Sequence, residues 1–330
     1  MSNERSSAAM IPVSRAVRAY FAPYDPTAGQ PSVFDPGLNA GFLLDAPPSP
    51  WVDLGWIDNF RRTSATTIEP LRVGKGAAAS QFRKSLDARV ELDFRQWGKL
   101  QMALAGGSQH MNVLATDPSA APRPTGGIPQ AAATVLTGST ASALTVGAGT
   151  ADLFNAGDMI AVDVDYQQQT GYVGSGVAAA YVKDPTSVLR DKDYVRRVTF
   201  NVARVAQKTT TLLLLDQPLI GGTPAAGACA QKISAFVDRE GGSFFQEWSG
   251  LFVWQDESGG RICFYYPHLS PSRNSKGSEQ ATETEFAMHD TISTIGLHAT
   301  FIALASVDPN DGETVLCYRS YFPAPLASLY

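Results

Sequence analysis

The chain has 330 residues, with 26 basic and 31 acidic side chains and a formal net charge of -5. That balance excludes the ordinary basic nucleic-acid-binding domain, whose affinity rests on neutralising phosphates, and no apolar run is long enough to cross a membrane as a helix. Charged residues are only 17%, and Gly (29) with Pro (21) exceed their usual share, which points to short strands, many turns and a surface partly covered by another subunit.

A chain of this length predicts two modules, or one with a large insertion. The N-terminus carries charges but no apolar run before a small-residue cleavage site, so no secretory leader is expected. Residues 1–50 are rich in Pro, Gly and Asp with little periodicity, and residues before proline are driven to extended conformations. They predict an extended arm. Its apolar side chains, among them Phe21, Phe34, Phe42, Leu43 and Leu44, suit docking on the body of its own or a neighbouring subunit, with a partly disordered tail as the competing reading.

From Trp51 the run WVDLGWIDNFRRTSATTIEPLRVG reads as short strands. SLDARVELDF then alternates, with Leu86, Ala88, Val90, Leu92 and Phe94 on one face and Asp87, Arg89, Glu91, Asp93 and Arg95 on the other. The period then changes. Phe94, Trp97, Leu100 and Leu104 recur at spacings of three and four before Gly106-Gly107, which predicts one amphipathic helix across FRQWGKLQMALAGG.

Residues 116–130 are a Pro/Gly linker by composition. Residues 131–237 read as an inserted all-β domain, rich in Val, Thr and Leu and punctuated by Gly, Asp and Pro. The first module resumes over 238–330, so it comprises 51–115 and 238–330. Its last strands include LHATFIALASV, apolar on both faces, which requires cover on both sides from the inserted domain or a neighbouring subunit. The fold class expected is mainly β: a β-sandwich or barrel with one flanking helix, plus an inserted β domain. No repeat of solenoid or propeller period occurs.

Signals for chemistry are weak. No GxSxG elbow and no HExxH is present, and His110, His268, His289 and His298 do not cluster with cysteines. His298 lies in an apolar strand, where a core or interface histidine is the simpler reading. Gly174-Ser175-Gly176 with Ala179 mimics a dinucleotide fingerprint but lacks a βαβ context. Asp163 and Asp165, and the DPNDGE loop at Asp308–Glu313, hold oxygen ligands without the spacing of a calcium loop. Turn chemistry accounts for the latter. Cys229, Cys263 and Cys317 suit neither a disulfide framework nor a zinc site, and read as buried free thiols of a reducing compartment. No catalytic residue, cofactor or metal is expected.

The order of these features resembles the major tail tube protein of tailed bacteriophages: an extended arm, a WVDLGWID-like opening strand, SLDARVELDF running into RQWGKLQMALAGG, an FYYP-type segment in RICFYYPHLSP, and a closing pair similar to TIGLHATFIAL and TVLCYRSYFPAP. The similarity covers about residues 50–115 and 240–322, and the inserted region is its departure. The resemblance implies a non-enzymatic, self-assembling virion subunit, made in the host bacterial cytoplasm, that forms hexameric rings stacked into a tube. Its partners would be copies of itself, other tail proteins, and DNA passing through without specific binding.

On that reading Asp87, Glu91 and Asp93 are candidate lumen-facing residues, with an ordinary solvated strand face as the competing one. Phe21, Phe34, Phe42, Leu297, Phe301 and Leu304 are candidate subunit-interface residues. Changing Glu91 and Asp93 to Lys is expected to spare folding. The alternatives are a baseplate- or fibre-like protein or a carbohydrate-binding β-sandwich, with Trp51, Trp56, Trp248 and Trp254 as a sugar platform, and a β-rich hydrolase using carboxylates.

Overall fold

The computed structural model describes residues 17–24, 34, 42–48, 50–73, 77–115, 117, 119, 130–163, 201–239, 246–255, 259–272, 284–287 and 294–323. In chain order the elements are β1 (Val17–Pro23), β2 (Val52–Val73), β3 (Ala77–Phe94), α1 (Lys99–Gly106), β4 (Gln109–Leu114), β5 (Ala133–Thr134), β6 (Ala143–Thr145), β7 (Met159–Asp163), β8 (Val202–Lys208) and β9 (Leu212–Leu215). They continue with β10 (Cys229–Arg239), β11 (Trp248–Gln255), β12 (Arg261–Pro271), β13 (Thr284–Ala287), β14 (Thr294–Ala303), β15 (Ser306–Val307), β16 (Thr314–Val315) and β17 (Tyr318–Phe322). The protein is mainly β, as its composition suggests.

Six antiparallel strands close on themselves in the order β14-β3-β2-β1-β11-β12, because β12 returns to β14 with Leu269 opposite Ala303 and Pro271 opposite Phe301. Closure removes the free edges an open sheet would leave. β13 and β17 pair with the stretches of β14 and β12 that diverge from this seam. Side chains alternate as the pleat demands. On β3, Ala88, Val90, Leu92 and Phe94 are buried, and they meet Phe21, Leu54, Ile57, Trp248, Phe252, Tyr266 and Phe301 in one core cluster. The apolar face of β3 is therefore where its alternation put it.

α1 is shorter than the spacing predicts. It begins at Lys99 after an extended Gly98, and Trp97 is 56% exposed. Phe94 remains in β3 with its side chain in the barrel core, so its place in the three-and-four spacing reflects strand packing. Buried Leu100, Ala103, Leu104 and Ala105 join α1 to that core. The helix stops where Gly107 turns left-handed (φ 54°) and its N–H caps Ala103 O. Gln246 Nε2 also donates to the Ala103 and Ser108 carbonyls, which ties the helix end to the segment leading into β11.

β1 lies between β2 and β11, so residues 17–23, expected in the surface arm, are instead a barrel strand. Val17, Ala19 and Phe21 face the core, while Tyr20 and Ala22 are buried on the other face with Trp51, Leu251, Val253, Cys263 and Tyr265. Phe34, Phe42 and Leu44 cover that second face. These three side chains dock on their own body, whereas Leu43 stays 59% exposed.

The inserted region has its own core, including Phe154, Ile160, Val162, Val205, Leu213 and Leu144. Its strands run β10-β7-β8-β9-β6, and the Val135–Val146 bridge with the β5–β10 pairing completes a small closed circuit. β10 links the modules: residues 229–232 pair with β7, whereas 233–239 pair with β4. β4 and β10 thus form a two-stranded stalk. The Gly174–Ala179 string, Asp165, His289 and the polar run over 273–283 lie outside the described residues.

Candidate assembly surface

The segment read as several short strands is one hairpin. β2 and β3 stay paired from Ile57 opposite Phe94 to Val73 opposite Ala77, with bulges after Asp58, Thr67 and Leu71. Barrel neighbours support only the first part. β1 pairs with β2 no further than Ile57, and β14 pairs with β3 only from Phe94 to Ala88. From Ala65 and Asp87 outwards the two strands have only each other, over nine residues of β2 or about 30 Å. Residues 63–71 are all exposed, and Ile68 and Leu71 remain 52% and 56% accessible. Between Arg61 and Arg89 this arm with its base holds seven basic and two acidic residues, leaving 19 basic and 29 acidic elsewhere. Among the described residues the arm's ion pair is internal, Lys84 with Glu69 at 3.8 Å, and Arg61 and Arg83 have no acidic partner. A turn signal, Gly74-Lys75-Gly76 midway between two stretches of similar length, was the available clue to a single hairpin.

The three candidate lumen residues differ. Asp87 is exposed and Glu91 half-buried opposite Arg61 and Thr300. Asp93 is engaged: His298 Nδ1 lies 2.6 Å from Oδ1, and Asn59 Nδ2 donates to Oδ2. Asn59 reaches it because the bulge puts it at φ 51°, a conformation Asn tolerates. The hydrogen bond from His298 is the main cause holding the Asp93 carboxyl below its ordinary range, and that same bond raises the imidazole pKa. Asp93→Lys would set a cation against His298. This geometry speaks against the expectation that Lys at Glu91 and Asp93 spares folding at Asp93, whose carboxylate is bonded on both oxygens, and not at Glu91. The face is also of mixed sign, since Arg95 grips Asp58 through two bonds of 2.6 and 2.5 Å.

Thr300 Oγ1 stands 3.5 Å from His298 Nε2, so Thr300, His298 and Asp93 superficially form a nucleophile–base–acid row. The hydroxyl belongs to a residue only 3% exposed, and a carbonyl cannot approach it. The row is a strand-to-strand clasp.

Of the candidate interface residues, Phe21, Leu297 and Phe301 are buried in the core of the single chain, with Phe21 and Phe301 rings 5.2 Å apart. They face the barrel interior and cannot present themselves to a neighbour. One face of β14, with Leu297, Ala299, Phe301 and Ala303, lines the core that α1 joins, whereas the other places His298, Thr300 and Ile302 opposite Asp93, Glu91 and Arg89 of β3. Phe34 and Phe42 contact each other edge-on at 5.3 Å and cover the outer cluster. Leu304 is half-buried.

The indoles do not make a sugar platform: Trp248 and Trp51 are buried, Trp254 is packed against the core, and Trp56 is overlain by Arg18 at 5.7 Å. In DPNDGE the carboxylates serve the turn, with Asn310 N–H bonded to Asp308 and Glu313 N–H bonded to Asp311. Among the described residues, no cluster of three metal-ligating side chains occurs, and no helix is long and apolar enough to cross a membrane. All three cysteines are thiols and not disulfides; burial pushes the Cys263 thiol up to about 12, which removes its nucleophilic form at neutral pH.

A hollow of about 740 Å³ separates the modules, between Trp51, Asp53 and Lys99 on one side and Met159, Arg204 and Asp216 on the other. Lys99 donates to Asn112 and sits 4.7 Å over the Phe236 ring, and burial lowers its pKa. Its role is to tie α1 to the stalk that carries the small barrel. No family model matches the chain, and no curated protein matches it.

Proposed function

We propose that the protein is a structural, non-catalytic subunit that assembles with copies of itself into rings and stacked rings, as in the tail tube of a tailed bacteriophage, and that the resulting conduit passes DNA without specific binding. The observation that carries this reading is the arm. A two-stranded ribbon with water on both faces is marginally stable alone, and here it extends about 30 Å from a closed barrel while presenting Ile68 and Leu71 to solvent. Burial of those side chains on a neighbour supplies what the single chain lacks. A contact between an arm and a different surface of the next copy is heterologous, and such contacts propagate into rings or filaments.

Low charge content and the resemblance of the sequence's order of features to that of tail tube proteins support the same reading. Sedimentation velocity of the full chain at rising concentration tests it. Large species should grow with concentration, whereas a chain with residues 66–86 replaced by Asn-Gly should stay folded and small. Equal behaviour of the two chains would remove the arm from assembly.

A further inference from the structure

We infer that the arm is held to a second copy of this chain by charge, the basic arm of one molecule landing on the acidic remainder of another. This rests on the assembly reading and adds the chemistry of the contact. Charge is unevenly divided: the arm and its base carry a net +5, and the rest of the chain carries -10. Within one molecule that separation goes unused among the described residues. Arg61 and Arg83 have no acidic partner, and Lys84 reaches only Glu69 on its own ribbon.

The geometry explains why: residues 65–73 and 77–87 pair solely with each other, beyond the last barrel neighbours at Ile57 and Ala88. A cationic ribbon fixed away from an anionic body finds its complement on the body of the next molecule. Complementary fields of this kind steer encounter and fix register, and they weaken as salt screens them. Exposed Ile68 and Leu71 on the same ribbon favour a protein surface over a polyanion, since phosphate offers nothing to bury them.

The test compares the full chain with R83E/K84E and with I68S/L71S, by sedimentation velocity from 50 to 500 mM NaCl, roughly a threefold change in Debye length. Thermal melts check that each variant is folded. The wild type should need about tenfold more protein to assemble at the high-salt end, and R83E/K84E should show a similar loss at low salt. I68S/L71S should weaken assembly while retaining the salt dependence. Assembly insensitive to salt, or R83E/K84E assembling like the wild type, would overturn the charge contact and leave the assembly reading standing. No assembly of the wild type under any condition would overturn both. A wild type that stays small alone but is gathered into large species by short duplex DNA would make the partner a polyanion, and that also overturns the inference.

Discussion

His298 and Asp93 face each other across the β14–β3 ladder, with Nδ1 of the imidazole 2.6 Å from Oδ1 of the carboxylate. Each raises the charged population of the other. The raised pKa of His298 contributes stability that is full below the ordinary value of 6.5 and disappears as pH rises through the folded value. The lowered pKa of Asp93 contributes stability that is present above 3.8 and disappears as pH falls through its folded value. The pair therefore works best in the interval where Asp93 is ionised and His298 protonated. His298→Gln should cost about 1 kcal/mol in that interval, a figure discounted for partial exposure. The difference should shrink towards both alkaline and strongly acidic pH. Urea unfolding of the two proteins across pH checks it; a pH-independent difference would mean that shape, not charge, joins the strands.

Phe301 belongs to the barrel of one molecule. Phe301→Ala should lower unfolding free energy by roughly 3–5 kcal/mol, because it empties a fully buried aromatic site beside Phe21. Denaturant titration under dilute, non-assembled conditions gives the answer. A protein unchanged when monomeric, and weakened only in the assembled state, would return Phe301 to the interface.

The small barrel is carried on a stalk, and the stalk can be closed. Ala115 N–H bonds to Lys232 O, and Leu114 is opposite Ile233. Replacing residues 116–231 by Asn-Gly should therefore leave a two-residue hairpin of the favoured kind. The shortened chain should unfold in one cooperative transition with the main core intact. Loss of the near-ultraviolet dichroism of buried Trp248, Tyr20 and Tyr266 would show that the main barrel depends on the insertion.

Asp87 and Asp93 separate under the same substitution. Asp87→Lys should alter stability by less than about 0.5 kcal/mol, since its side chain is exposed. Asp93→Lys should be clearly destabilising through loss of the His298 and Asn59 bonds. Thermal melts of the two variants at one pH suffice.

The apolar face of β3 was legible because the strand is half-buried and alternates, from Ala88 to Phe94. The stop of α1 was legible from Gly107. The start of α1 was not, because Phe94 and Trp97 continue the three-and-four spacing although neither belongs to the helix. β1 carries no such signal, because Tyr20 and Ala22 are buried as well as Ala19 and Phe21, so no alternation shows, and prolines follow it closely in the sequence. The continuous β2–β3 arm lacks a signal for the opposite reason: with both faces in water, Thr63 to Leu71 carry no hydrophobic period. Burial of Leu297 and Phe301 inside their own barrel depends on the β12–β14 closure, a long-range pairing that local pattern does not encode. The pairing of Asp93 with His298, 205 positions apart, is of the same kind.

Negative-stain electron microscopy of the purified full chain, at low salt and high concentration, tests the central claim most directly. Rings and stacked rings, absent when residues 66–86 are replaced by Asn-Gly, are the result the assembly account predicts. A field of single compact particles at every concentration and salt would contradict it.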